Sequence, residues 1–430
     1  MATLLAIQDF ESEFVKTDPT AGPNYKPRSL DEIDVPATIL EDLALKTLYL
    51  NGTLSLIDLA KKLCLSYEVA DELFVRLRSG LLCQVTGMTG HIPQITVTSQ
   101  GRTRAAELLS QNSYVGGAPV SLDAYTRQIR AQSVQKVEVH AADVRRAFAH
   151  LVVDNEMLAR FGTVLNSGSA VFLYGPAGTG KTTIAEVLSR VLAEDEVWIP
   201  QAVEVDGQII TVFDPSLHCR IDNEPEVYDA RWVPCHRPSV MVGGELTADM
   251  LDMQFNPVTK FYVAPAQMKA NNGVLIIDDF GRQRIRPEEL LNRWIVPLDR
   301  RIDFLTLAGG KKIEVPFEML VVFASNKDPA ELVDQSFLRR IQTKIKIGAA
   351  SDAQFCEIFR RAASERRVPF DPQIPEDLID FIKGTLRLEL RSCYPRDIIN
   401  QECWAARYEG RKPYLDRRAL QRALQAYFPV

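Results

Sequence analysis

The stretch that most constrains this chain is Val171-Phe172-Leu173-Tyr174-Gly175-Pro176-Ala177-Gly178-Thr179-Gly180-Lys181-Thr182-Thr183. A short apolar run suited to a buried strand breaks into a glycine-rich turn, and Ile184-Ala185-Glu186-Val187-Leu188 continues at helical spacing. Strand, turn and helix in that order leave few folds open. The turn must bring successive backbone N–H groups to one point, with the positive end of the helix dipole behind them. Gly175, Gly178 and Gly180 permit the positive φ this needs. The form Gly-x4-Gly-Lys-Thr, running from Gly175 and Pro176 through Ala177 and Thr179 to Thr182 and Thr183, is that of a phosphate-binding loop. Lys181 supplies charge for β- and γ-phosphates, and the Thr182 hydroxyl is placed to hold Mg²⁺. The loop alone accepts ATP or GTP.

At 430 residues the chain exceeds one ordinary core, so two or three domains are expected. Its 46% hydrophobic and 25% charged residues are those of a globular protein. A net charge of −6 argues against a surface that coats nucleic acid, while leaving a local basic patch open. No apolar run approaches the roughly 18 residues of a membrane span, so no membrane insertion is expected. Met1 to Ile7 meets Asp9, Glu11 and Glu13 without a basic leader, which is unlike a secretory signal and makes the cytoplasm the expected compartment. The seven scattered cysteines suit reduced thiols. His218-Cys219 and Cys235-His236 lack the Cys-x2-Cys knuckle spacing, and no structural metal is expected there.

Residues 1–30, with Pro19, Pro23 and Pro27, read as a disordered lead-in. Apolar spacing then predicts a helix carrying Ile39 to Leu50, a second over Ser55 to Leu63 and a third over Ser66 to Arg78. Two β-like segments follow, Leu81 to Val85 and Gln94 to Thr98, joined by a turn over Thr86 to His91. Three helices and a hairpin make a winged-helix domain over 31–112. Its third helix exposes Glu68, Asp71 and Glu72 beside Arg76 and Arg78, and residues 31–110 hold ten acids against seven bases. Phosphate binding needs the opposite balance, so a protein-docking role is expected before a DNA-reading one. A linker over 113–137 leads to a core over 138–349 and a helical segment over 350–430.

Downstream, Gly273-Val274-Leu275-Ile276-Ile277-Asp278-Asp279-Phe280 runs four apolar residues into two carboxylates. Buried parallel strands read as continuous apolar runs, and ligands bind at their carboxyl ends. Asp278 would hold Mg²⁺ and Asp279 would polarise an attacking water. A third apolar strand, Met319 to Ala324, ends in Ser325-Asn326, where the asparagine can orient that water or bond a γ-phosphate. Arg339 and Arg340 follow a short helix, and Arg396 opens one in Cys393-Tyr394-Pro395-Arg396-Asp397-Ile398; each offers a fixed planar charge to phosphate.

In this order the elements resemble the AAA+ ATPases over roughly residues 138–430. The resemblance implies an α/β P-loop NTPase fold: a parallel sheet flanked by helices, a C-terminal helical lid and, here, the N-terminal winged-helix domain. Lys181 and Thr182 match Walker A, Asp278 and Asp279 Walker B, Asn326 sensor 1, Arg339 or Arg340 the arginine finger, and Arg396 sensor 2. Arg286 to Leu298 followed by two β-like runs around Gly309-Gly310 resembles the hairpin before sensor 1 in MoxR-like ATPases, as do Phe261-Tyr262-Val263-Ala264-Pro265 and Ala270-Asn271-Asn272-Gly273. Arg282 is a second candidate to act across a subunit boundary. The implied activity is Mg²⁺-dependent ATP hydrolysis in a homo-oligomeric, hexameric ring that remodels an unknown protein client.

Two departures qualify the match. Walker B in that group usually ends in Asp-Glu, and Asp279 is one methylene shorter, which suits slow turnover or a nucleotide switch. Asp-Asp also occurs in initiator and helicase-loader types, which keeps a DNA-directed ATPase, whether loader or transcription regulator, as the rival. The segment between the P-loop helix and Walker B is long. Its runs Val203 to Phe213 and Val240 to Thr247 are expected either to face a pore or client or to be a surface decoration.

Overall fold

A computed structural model describes residues 23–222, 227–332 and 335–428, without the side chains of 335 and 336. Of the expected lead-in, residues 1–22 lie outside the described residues. Residues 23–30 are ordered by long-range bonds: Pro23 accepts the N–H of Asp229, the Leu30 N–H donates to Glu72, and Leu30 is buried.

The N-terminal module comprises α1 (Ala37–Asn51), β1 (Leu54–Ser55), α2 (Leu56–Leu63), α3 (Tyr67–Ser79), β2 (Cys83–Thr89), β3 (Ile92–Val97) and α4 (Ser99–Gln111). The Ser55, Ser66 and Thr98 hydroxyls cap α2, α3 and α4 by accepting backbone N–H groups. The antiparallel sheet has the order β1-β3-β2, one strand more than the expected hairpin. With only two residues, β1 shows no period to read.

The second unit begins with β4 (Val120–Ser121) and α5 (Leu122–Ala131), inside the stretch expected as a linker. Then come α6 (Ala141–Phe148), α7 (Asn155–Ser167), β5 (Val171–Tyr174) and α8 (Lys181–Leu192). Five strands follow: β6 (Glu196–Pro200), β7 (Ala202–Val205), β8 (Gln208–Thr211), β9 (Trp232–His236) and β10 (Ser239–Val242). The chain continues through β11 (Gln254–Phe255), β12 (Tyr262–Val263), α9 (Ala266–Lys269) and β13 (Val274–Ile277). Next are α10 (Pro287–Arg293), α11 (Ile295–Arg300), β14 (Ile302–Thr306), β15 (Lys312–Pro316) and β16 (Leu320–Ser325). Short helices α12 (Pro329–Leu332) and α13 (Gln335–Leu338) precede β17 (Thr343–Lys346), and α14 (Asp352–Arg366), α15 (Ile374–Asp380), α16 (Tyr394–Tyr408) and α17 (Arg417–Tyr427) form a C-terminal lid.

The central sheet is parallel throughout, with the order β10-β13-β16-β5-β17. Helices flank it, and α14 to α17 pack around their own core of Phe355, Phe359, Ile398 and Leu420. This is an α/β P-loop NTPase fold: a parallel sheet flanked by helices, with a helical C-terminal region. Register sets the site. Tyr174 lies opposite Ser325, and Ile277 opposite Phe323 and Val242, so the segments starting at Gly175, Asp278 and Asn326 emerge at neighbouring strand ends.

A second sheet has the order β11-β12-β8-β7-β4. Its core joins Val120 and Tyr125 of the expected linker to Val203, Ile210 and Trp232, and to Leu305 and Val315 of the β14–β15 hairpin. Ala202 and Ile209 also enter the core of the N-terminal module. The Val203 to Phe213 hairpin is therefore the floor on which that module sits, not a free client-facing loop or a decoration. Val240 to Val242 belongs to the edge strand β10 of the central sheet.

Candidate active site

The turn between β5 and α8 takes positive φ at Gly175 (145°), Gly178 (80°) and Gly180 (96°). At Gly175 a Cβ would lie 2.1 Å from the carbonyl oxygen of Ile347, so no side chain fits. Lys181 is buried at the first turn of α8 and donates from Nζ to the carbonyls of Gly175 (2.9 Å) and Pro176 (2.8 Å). Those two residues thus hold the lysine, while Ala177 to Thr183 line the cleft. Burial lowers the Lys181 pKa, the carboxylates of Asp278 and Asp279 oppose the shift, and Arg391 adds to it.

The Thr182 hydroxyl donates to Asp278 at 2.9 Å, placing two hard oxygen ligands together. The Asp279 carboxylate accepts from Asn326 Nδ2 at 3.1 Å, and Asp279 itself has φ 49°. A left-handed aspartate is uncommon and turns its side chain toward the next strand end.

These groups line a cleft of about 730 Å³ between core and lid. Arg282 lines it from the same chain, and Arg396 enters from the start of α16. Arg339 and Arg340 do not line it. Arg339 is exposed, and Arg340 donates from Nε to Asp299 at 2.8 Å.

The structure adds groups the sequence pattern did not show. Val152, Val153, Met157, Ile347 and Ile358 line an apolar part of the cleft. Arg361 of the lid donates to the carbonyls of Ala149 (2.8 Å) and Leu151 (3.0 Å), tying α14 to the loop before α7. The Cys393 N–H donates to the Gly178 carbonyl at 3.0 Å. A Cβ on Gly178 would meet Cys393 Sγ at 2.5 Å and Arg391 Cδ at 3.6 Å. Arg391 also stacks over the Tyr394 ring, 5.8 Å from its centre. These residues come from distant segments, and no spacing rule joins them.

His218 accepts the Asp214 N–H at Nδ1 (2.9 Å), so Nε2 donates to the Lys269 carbonyl (2.9 Å), and burial lowers its pKa. His236 bonds the Ala193 carbonyl, and burial pushes the Cys235 thiol up to about 12. Among the described residues no cluster of three or more His, Cys, Asp or Glu side chains is gathered for a metal. No helix among them is long and apolar enough to cross a membrane.

A family model described as a domain of unknown function, DUF8689, matches residues 351–426, within the lid. No match is found among curated proteins. Among solved structures the chain is similar to Thermotoga maritima RuvB, described as a Holliday junction branch migration motor, at 17% identity and a TM-score of 0.35, covering 69% of this chain and 72% of that one. It is also similar to domain III of the Thermotoga maritima replication initiation protein DnaA, at 13% identity and a TM-score of 0.37, covering 65% and 95%. Likeness this distant says nothing of activity.

Proposed function

We propose that this chain is an ATP-hydrolysing AAA+ remodelling ATPase of the MoxR-like, chaperone type, acting on a protein client. The observation that carries the ATPase reading is the convergence of Lys181 and Thr182, Asp278 and Asp279, and Asn326 at three neighbouring strand ends of one cleft. Mg²⁺ fits there, because Thr182 Oγ1 and the Asp278 carboxylate are paired hard donors; bound, it would neutralise phosphate charge. Lys181 binds phosphate oxygens once released from its two carbonyls. Asp279 takes up a proton from the attacking water, and Asn326 orients the Asp279 carboxylate. Arg396 closes the lid side, and Arg391 adds charge at the loop tip.

Of Arg339 and Arg340, Arg339 is the exposed one, which suits action on a neighbouring copy in a ring, with six copies expected; Arg282 is exposed as well but lines the cleft of its own chain. The β14–β15 hairpin before β16 supports the MoxR-like reading. The N-terminal module supports a winged helix, since α1, β1, α2, α3, β2 and β3 come in that order. Exposed Tyr67, Glu68, Asp71 and Val75 on α3 suit a polypeptide better than phosphates. Under the rival DNA-directed reading, duplex DNA would bind the full chain with a steep salt dependence.

The test is nucleotide titration with phosphate release. Lys181→Ala should lose ATP binding. Asp279→Asn should keep it while phosphate release falls by about 10²-fold or more. Unchanged turnover in Asp279→Asn would remove the role given to that carboxylate. Asp279, one methylene shorter than the glutamate usual in that group, favours one second reading, a switch that binds ATP and turns over rarely. Multiple-turnover kinetics at saturating ATP separate the two.

A further inference from the structure

Between the N-terminal module and the second sheet lies a cleft of about 200 Å³, separate from the nucleotide site. Helix α1 supplies Ile39, Asp42, Leu43 and Lys46; the end of α4 and the turn between β7 and β8 supply the other walls. Asp42 and Lys46 stand one helical turn apart and so share a face. Lys46 is 6% exposed and donates one of its three N–H groups to the Asn112 carbonyl at 3.0 Å. Among the described residues no other hydrogen bond or close ion pair is made by that ammonium, and none by the half-buried Asp42 carboxylate; Arg104 and Lys46 favour the Asp42 charge from a distance, and Asp42 favours that of Lys46.

Burial pushes Lys46 down to about 8 and Asp42 up from its ordinary range. A part-satisfied ammonium and a carboxylate without a direct hydrogen bond on one cleft wall cost free energy that an occupant satisfying both would recover. Such groups in a native fold call for a missing ligand or solvent. An anion alone would leave Asp42 without a direct contact, and a cation alone would leave two Lys46 N–H groups without one. A molecule carrying both charges close together satisfies the pair.

We propose that this cleft binds a free α-amino acid, its carboxylate on Lys46 and its ammonium on Asp42. The volume is below the roughly 300 Å³ at which drug-sized sites begin and suits a ligand of amino-acid size better than a nucleotide. Ile39, Leu43 and Leu108 give the ligand side chain an apolar wall. Because the walls come from two units, occupancy fixes the N-terminal module on the second sheet. The proposal does not depend on the ATPase reading.

The experiment titrates the full chain with a panel of free L-amino acids, by calorimetry and by melting temperature. At least one should bind and raise the melting temperature, since a ligand of the native state stabilises it. Its methyl ester and its decarboxylated amine should each bind about tenfold more weakly or worse, as expected for losing one charge-assisted contact. Asp42→Asn, which keeps the side-chain shape, and Lys46→Met should lose binding by a similar factor with ATP affinity unchanged. Should Lys46→Met fail to fold, Asp42→Asn and the ester and amine pair decide alone. The proposal is overturned if no amino acid binds at millimolar concentration, if ester and amine bind as well as the parent, or if Asp42→Asn binds as well as the native chain.

Discussion

Lys181 and Lys46 are both buried, and their surroundings give them different parts. Lys181 has two carbonyl acceptors and two carboxylates nearby, while Lys46 has one acceptor and Asp42. The Lys46 pKa falls from 10.5 to about 8, so between those values the unfolded chain holds a proton that the folded chain has released. Stability therefore rises with pH across that window, by up to about 3 kcal/mol, and the cost of burying the charge is fully present below it. Urea unfolding of native chain and Lys46→Met near pH 8 and near pH 10.5 checks this: the native chain should gain relative to the variant, and a constant difference would contradict it. Their positions at strand ends made the meeting of Lys181, Thr182, Asp278, Asp279 and Asn326 in one cleft legible in the sequence, because contiguous apolar strands fix where the residues after them emerge. Arg361 and Arg391 carry no such signature, since an arginine shows its part only through what it touches.

Among elements, the loop before α16 depends on the absence of a side chain at Gly178. With φ at 80° and Cys393 Sγ 2.5 Å from a Cβ there, Gly178→Ala both strains the turn and pushes the lid loop away. The backbone part alone costs about 1–2 kcal/mol. ATP affinity should fall about tenfold, as for a displaced charge-assisted contact. Adding Cys393→Ala should recover part of that loss, and a double-mutant cycle with no coupling would show that the two do not meet. The β7–β8 and β14–β15 hairpins were readable from their turns and β-like runs. Their burial was not, because the neighbours that cover β7 and β8 are the two-residue strands β4 and β12, too short for any period.

At the scale of the whole molecule, Arg231 joins the N-terminal module to the second sheet. Its buried guanidinium meets Asp229 at 2.7 Å, Asp34 at 2.9 Å and the Pro119 carbonyl at 3.2 Å. Burial works against ionising Asp34, but Arg231 and the Ser121 hydroxyl hold its pKa below the usual range. Arg231→Ala strands two carboxylates and should cost about 3–5 kcal/mol in urea unfolding; a loss within the error of the measurement would mean the pair is not buried in solution. The ring reading is checked by mixing. Arg339→Ala should bind ATP normally and lose about 10³-fold in hydrolysis or more. Mixed with Asp279→Asn, it should regain activity, because some interfaces then combine an intact finger with an intact carboxylate. No recovery on mixing would place Arg339 outside any shared site.

The sequence by itself determined the glycine-rich turn, the carboxylate pair and the strands that carry them, because each is written in a few contiguous residues whose backbone and chemistry allow little else. Tertiary structure alone decided that residues 113–137 supply the edge strand β4 and the packed helix α5, that Val203 to Phe213 is a buried floor, that Arg282 faces its own cleft while Arg340 is tied to Asp299, and that Asp42 and Lys46 share a cavity. Those outcomes depend on which distant surfaces bury one another, and burial free energy belongs to pairs of segments, not to either segment alone.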